Sequence, residues 1–215
     1  MGDRFLFVGL GNPGLRYAGN RHNVGFMVLE HLAGAAGIAI TRSKFKGLSG
    51  TGDFDGQSLV LLEPQTFMNL SGQAVSQARS FFDVEPARIL VIHDELDLPF
   101  GTLRLKVGGG HGGHNGLRDL HEHLGGGDYA RLRFGIGRPP EGWQGADYVL
   151  SRWTTAEQDT LPSLVDAAVD MLRAVFAGGV AAAMNAHNTR KKPQPSAAPT
   201  PSEQPPLSTP STPSR

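Results

Sequence analysis

The chain has 215 residues, 39% hydrophobic and 19% charged, and its 20 basic and 20 acidic side chains cancel. That length suits one folded domain with a sizeable core. The balanced charge argues against a protein coated in positive charge to grip long nucleic acid, though it allows a local basic patch. Cysteine is absent, which excludes disulfides, thiol catalysis and cysteine-based zinc sites.

The opening MGDRFLFVGLGNPG lacks a secretory-signal pattern, and no stretch approaches the ~20 apolar residues of a membrane span. A soluble, cytoplasmic protein is expected. Residues 4–10 form a short apolar strand ending in glycine. Val24–Ala36 spaces its apolar residues as a helix does, and residues 58–63 (SLVLLE) and 88–93 (RILVIH) suit buried strands. Helices are predicted over 70–82, 114–124 and 157–177, with Gly178-Gly179 separating the last from a final helix over 180–187. Residues 102–107 and 130–137 alternate polar and apolar, as strands with one wetter face do. The alternation predicts a single α/β domain over 1–190, with a twisted, mixed but mostly parallel sheet flanked by helices. From 191 to 215 the chain is nearly all Pro, Ser, Thr, Ala and Gln with one large apolar residue, Leu207, which predicts a disordered tail. Three basic residues and one acid fall in that tail, so the body is slightly acidic and any nucleic-acid contact must come from a local cluster.

In parallel sheets the site lies at the carboxyl ends of strands, and the polar motifs fall there. Gly9-Leu10-Gly11-Asn12-Pro13-Gly14 has the G-x-G-x-x-G spacing of a dinucleotide turn. Pro13 lacks the N–H of a phosphate cradle, however, and no suitable acid follows about 20 residues on. A tight turn explains its glycines but not Asn12, whose amide can donate and accept at a strand end. His22, in Arg21-His22-Asn23, precedes a helix, where a ring tends to stay neutral and can serve as a base. In Thr66-Phe67-Met68-Asn69-Leu70-Ser71-Gly72, Asn69 or Ser71 can cap the next helix. The Phe67-Met68 pair is expected to be exposed, where it can bear a base or a peptide side chain.

His93-Asp94-Glu95-Leu96-Asp97 suits either a metal ion or the orientation of a histidine. The run from Lys106 to Gly116, with His111 and His114 among its glycines, reads as a flexible gate leading into a helix, with zinc ligation as the rival. Arg104 with Lys106, and Arg131 with Arg133, each share a strand face and can together form a phosphate-binding surface.

Taken in order, GLGNPG, RHNVGF, TFMNLSG, HDELDLPFG, KVGGGHGGHNG and RLRFGIGRP resemble the bacterial-type peptidyl-tRNA hydrolase family over roughly residues 4–187. The resemblance implies a monomeric α/β enzyme that needs no metal or organic cofactor and frees tRNA from peptidyl-tRNA dropped by stalled ribosomes. It implies His22 as catalytic base and Asp94 as its partner. Asn12, Asn69 and Asn115 would line the cleft, with Tyr17 and Met68 in its wall. Lys106, Arg133 and Arg104 would hold tRNA phosphates. The residues themselves leave Asn12 and Asn69 both open as oxyanion donor. They also leave three rival readings: a non-catalytic RNA- or protein-binding relative, a metal-dependent hydrolase built on Asp94, Glu95, Asp97, His111 and His114, and a dinucleotide-binding enzyme.

Overall fold

The computed structural model describes residues 4–188; the Pro/Ser/Thr-rich segment lies outside them. The strands are β1 (Phe5–Gly9), β2 (Arg42–Lys44), β3 (Gly47–Phe54), β4 (Gln57–Pro64), β5 (Ile89–Glu95), β6 (Leu103–Val107) and β7 (Ala130–Gly135). The helices are α1 (Val24–Ala36), α2 (Ser71–Phe82), α3 (Asn115–Leu124), α4 (Gly145–Val149) and α5 (Thr155–His187). Short 3-10 turns cover Arg21–Asn23, Met68–Leu70 and Pro86–Arg88.

One seven-stranded sheet runs in the order β2-β3-β4-β1-β5-β7-β6. Its central strands β4, β1, β5 and β7 are parallel, and β2, β3 and β6 make antiparallel pairings at the two sides. Because side chains alternate along a strand, β1, β4 and β5 each feed two cores. Phe7, Leu59, Leu61, Leu90 and Ile92 meet α1 and α5, while Leu6, Val8, Val60, Leu62 and Val91 meet α2 and α3. The carboxyl ends of β1, β4 and β5 consequently open on one side of the sheet, where the predicted polar motifs lie.

The fit of α1 to that side depends on two glycines. A Cβ on Gly25 would lie 2.4 Å from the Leu10 backbone and 2.5 Å from the Ile92 carbonyl oxygen. One on Gly9 would lie 2.4 Å from the Gly25 carbonyl oxygen. No side chain can occupy either place without moving the helix, so α1 rests on bare backbone.

The predicted break at the end of α5 is present: Gly179 leaves helical geometry at φ 79° and ψ 169°. This helix is long and apolar enough to cross a membrane by length and composition, which the sequence reading had not anticipated, although its Val165, Val169, Leu172 and Val175 are buried in the core. At its end Asn188 accepts the Leu105 N–H at 2.9 Å and donates to the Leu105 carbonyl at 2.8 Å, closing the outer edge of β6. Strands β2 and β3 and helix α4 were not anticipated. In β3, Gly50 and Gly52 leave room for the 38–39 backbone and side chain: a Cβ on Gly50 would lie 2.5 Å from the Ala39 carbonyl oxygen, and one on Gly52 2.7 Å from Ile38.

Candidate active site

Two histidines from separate segments converge on one carboxylate. Asp94, at the end of β5, is 3% exposed. His22, from the turn between β1 and α1, places Nδ1 2.8 Å from Asp94 Oδ1. His114, at the start of α3, places Nε2 3.0 Å from the same oxygen. Burial alone would raise the Asp94 carboxyl, but the rings of His22 and His114 outweigh it and hold the group well below the usual carboxylate range. An ionised carboxylate only accepts, so both rings turn an N–H toward it.

That assigns the tautomers. His114 Nδ1 accepts the Leu117 N–H at 3.3 Å as N-cap of α3, so its proton is on Nε2. His22 carries its proton on Nδ1, which makes Nε2 the ring's acceptor nitrogen. His93 lies beneath, its ring centroid 5.1 Å from that of His114. Burial, helped by His114, pushes the His93 imidazole down to about 3. Its Nδ1–H donates to the Asp94 carbonyl at 2.7 Å, leaving Nε2 buried and unpartnered.

Asn12 is held from two sides. Asn23 accepts its backbone N–H at 3.0 Å and donates to its carbonyl at 2.9 Å. The Asn12 side-chain oxygen accepts the Met68 N–H at 2.8 Å, which leaves the amide NH2 to donate elsewhere. Met68 is buried, a correction to the expected exposed pair; only Phe67 is exposed. The reason is Gly116: with no side chain there, the Met68 sulfur packs where a Cβ would be 2.6 Å away, beside the His114 ring. Asn69 and Asn115 are exposed, and Asn115 Oδ1 accepts from Arg118 at 3.2 Å. Tyr17 is half-buried in the preceding turn, with the Arg16 guanidinium 4.6 Å over its ring.

Neither Asn69 nor Ser71 caps α2. Ser71 donates back to the Met68 carbonyl, and the Gly72 N–H is taken at 2.6 Å by the Asp119 carboxylate of α3. The orphan donor of one helix start is thus met by an acid from the neighbouring helix.

The basic surface is smaller than its sequence suggests. Arg104 opposes Arg133 and Lys106 opposes Arg131 across β6 and β7, so all four share one face. Arg131, however, is 2% exposed. Its guanidinium donates to the carbonyls of Gly110 at 2.7 Å and of Gly109, and meets the His121 ring at 3.1 Å. It fastens the glycine loop and is not free for phosphate. Arg133 pairs with Glu95 at 2.9 Å. Arg104 and Lys106 are half-buried, with Lys106 Nζ lying 2.6 Å from where a Gly109 Cβ would be.

Of the five residues proposed for a metal, Asp94 and His114 meet, and the other three are engaged elsewhere. Glu95 is engaged by Arg133 and by the Asp97 N–H, Asp97 by Arg138, and His111 by the Gly113 N–H. The cluster among the described residues able to hold an ion is His22, Asp94 and His114, with ligand atoms within 4.8 Å of one another. An ion there would have to displace both N–H bonds to Asp94.

Comparison with known proteins decides the family. The sequence profile of peptidyl-tRNA hydrolase matches residues 6–195. The chain belongs to the peptidyl-tRNA hydrolase family. It is 52% identical over 190 residues to the peptidyl-tRNA hydrolase of Sorangium cellulosum, covering 87% of this chain and 85% of that one. It is 49% identical over 185 residues to that of Geobacter metallireducens, covering 86% and 95%. The crystal structure of peptidyl-tRNA hydrolase from Acinetobacter baumannii superposes with a TM-score of 0.83 at 44% identity, covering 89% of this chain and 97% of that one.

The loops of the peptidyl-tRNA hydrolase fold thus bring together His22, Asp94, Asn12 and Met68, with Asn69 and Asn115 at the surface. Arg104, Lys106 and Arg133 sit apart on the β6–β7 face. Sequence reasoning missed the roles of His114, Asn23 and Asp119. His114 was noticed as a possible ligand, and its position at a helix start was the available signal.

Proposed function

We propose that the protein hydrolyses the ester joining a peptidyl group to the 3′ ribose of tRNA, with His22 as general base. The observation that carries this is the His22–Asp94 bond, which fixes the ring on Nδ1 and leaves Nε2 as the acceptor. Nε2 removes a proton from water as the water oxygen attacks the ester carbonyl carbon. The tetrahedral intermediate then collapses, the bond to the ribose oxygen breaks, and that oxygen takes the proton back from His22. An ester leaving group needs no stronger acid, and a positioned base of this kind contributes ~10²–10⁴ in rate. Asp94 orients the ring and stabilises the imidazolium, as a triad carboxylate does.

Asn12 is the oxyanion donor in this reading, since its oxygen is already held and its NH2 is not. Asn69, Asn115, Tyr17 and Met68 contact the substrate end, and Arg104, Lys106 and Arg133 the tRNA phosphates. The chemistry requires no cofactor. The substrate is peptidyl-tRNA dropped by stalled ribosomes, and we read the enzyme as a cytoplasmic monomer without membrane attachment. This reading is supported by family membership and by the packing of one face of α5, through Val165, Val169, Leu172 and Val175, into the core.

The test is release of N-acylated amino acid from acylated tRNA by wild type and His22→Ala, each with and without a chelator. Cleavage that survives chelation and falls by ~10²–10⁴ in the variant is expected. Near-normal turnover by His22→Ala removes the base. Loss on chelation transfers the site to a metal at His22, Asp94 and His114.

A further inference from the structure

Arg21, the residue before the proposed base, is 1% exposed and takes no part in the chemistry above. Its side chain runs away from the cleft into the joint between α4 and α5. Nη2 donates to Glu157 Oε2 at 2.6 Å, and Nη1 to Ser151 Oγ at 3.3 Å and to the Arg152 carbonyl. The guanidinium stands 4.6 Å from the Tyr148 ring centre and 5.2 Å from that of Trp153. The backbone follows the same route: the Arg21 N–H donates to the Ser151 carbonyl at 3.1 Å, and Asn20 bridges Arg152.

The acceptor is itself fixed. Glu157 Oε2 also receives the Thr154 N–H at 2.8 Å and the Thr154 hydroxyl at 3.0 Å, within the capping box that starts α5. Glu157 is 5% exposed. The Arg21 charge is therefore bonded to the first turn of the longest helix, 136 residues away in sequence.

On the other side of His22, Asn23 is bonded to the Asn12 backbone. The base thus stands between two anchors on successive residues, one to the β1 loop and one to α5. We infer that Arg21 is a positioning residue, which through Glu157 and the 151–152 backbone holds the His22 turn so that its ring stays on Asp94. The inference rests on His22 being the base. If the pair served stability alone, its removal would lower the melting midpoint and leave kcat intact in the folded protein. A positioning pair also sets kcat, because a misplacement of about 1 Å in a reacting group can cost ~10²-fold in rate.

The experiment measures kcat, KM and thermal midpoint on N-acyl-aminoacyl-tRNA for Arg21→Met/Glu157→Leu, Glu157→Gln and Arg21→Lys. It adds the NMR signal of the His22 Nδ1 proton. The apolar double variant also strips partners from Ser151, the Arg152 carbonyl and Thr154, so it is expected to melt below wild type, yet stay folded at the assay temperature and keep its KM, while kcat falls ~10- to 100-fold and the Nδ1 proton signal weakens. Glu157→Gln, which keeps an acceptor for Arg21, should recover most of the rate.

Wild-type kcat in a folded double variant overturns the inference. So does a kcat loss that only tracks the unfolded fraction. Should the double variant not fold, Arg21→Lys decides. Lysine keeps the charge but cannot serve all the acceptors at once, so reduced kcat at constant KM supports positioning, and an unchanged kcat refutes it. Turnover retained in His22→Ala would instead remove the underlying assignment of the base, which separates the two failures.

Discussion

His114 donates its Nε2–H to the Asp94 oxygen that also takes the His22 Nδ1–H, at 3.0 Å and 2.8 Å respectively. A single buried oxygen therefore sets the orientation of two rings, and His114 helps keep the carboxylate charged where burial would favour its proton.

Removing His114 should accordingly weaken the site without abolishing it. A hydrogen bond to a charged group contributes ~1.5–3 kcal/mol, so His114→Ala is expected to lower the melting midpoint and cut single-turnover hydrolysis roughly tenfold, well short of His22→Ala. Equal losses in the two variants would mean that His114 is itself a base.

Salt dependence separates the free cations from the engaged ones. Lys106→Ala and Arg104→Ala should each lower the slope of log affinity against log salt by about 1 for uncleaved tRNA. Arg131→Ala should instead destabilise the fold, since its guanidinium holds the Gly109 and Gly110 carbonyls. An unaltered slope in both surface variants would place the tRNA path on another face.

Two buried groups give stability opposite pH dependences. Burial, with Glu30 nearby, raises the Glu63 carboxyl to about 8. Its folded value exceeds its unfolded one, so its contribution is fully present below about 4.5 and is lost as pH rises through 8, at ~1.4 kcal/mol per unit. Glu63→Gln should therefore gain on wild type in chemical denaturation as pH rises from 5 to 8. Parallel curves would sink the assignment of a protonated Glu63.

His93 acts in the other direction. Burial lowers it to about 3, so its contribution is present above about 6.5 and is lost as pH falls toward 3. Between about 4.5 and 6.5 the two slopes oppose each other. His93→Gln should there lose stability as pH rises, and Glu63→Gln should gain it, while wild type stays nearly level. The same slope in wild type and His93→Gln would show that His93 is not buried neutral.

Helix α1 was legible to the residue because its apolar spacing and its glycine end are local facts, and the break before Val180 was legible for the same reason. Strand β2 was not, because the turn that joins it to β3 uses Phe45 and Lys46 at positive φ in place of Asn-Gly or Asp-Gly. Strand β3 did carry a local signal that sequence reasoning passed over: Asp55-Gly56, both at positive φ, turns it into β4. The glycines of β3 weaken its strand pattern because the 38–39 segment lies against them. In the site, His22 and Asp94 were recognisable by motif. The cap of α2 by Asp119 and the Arg21–Glu157 pair join residues 47 and 136 positions apart, and no local spacing encodes either.

Asn188 occupies with one side-chain amide the ladder position that another strand would take beside Leu105. Without it, β6 would present an open N–H and C=O at the rim of the sheet, with only Arg104 and Lys106 to discourage a neighbour from adding there. The property governed by that last described residue is therefore colloidal: how concentrated the protein can become before one copy's edge begins to read another's.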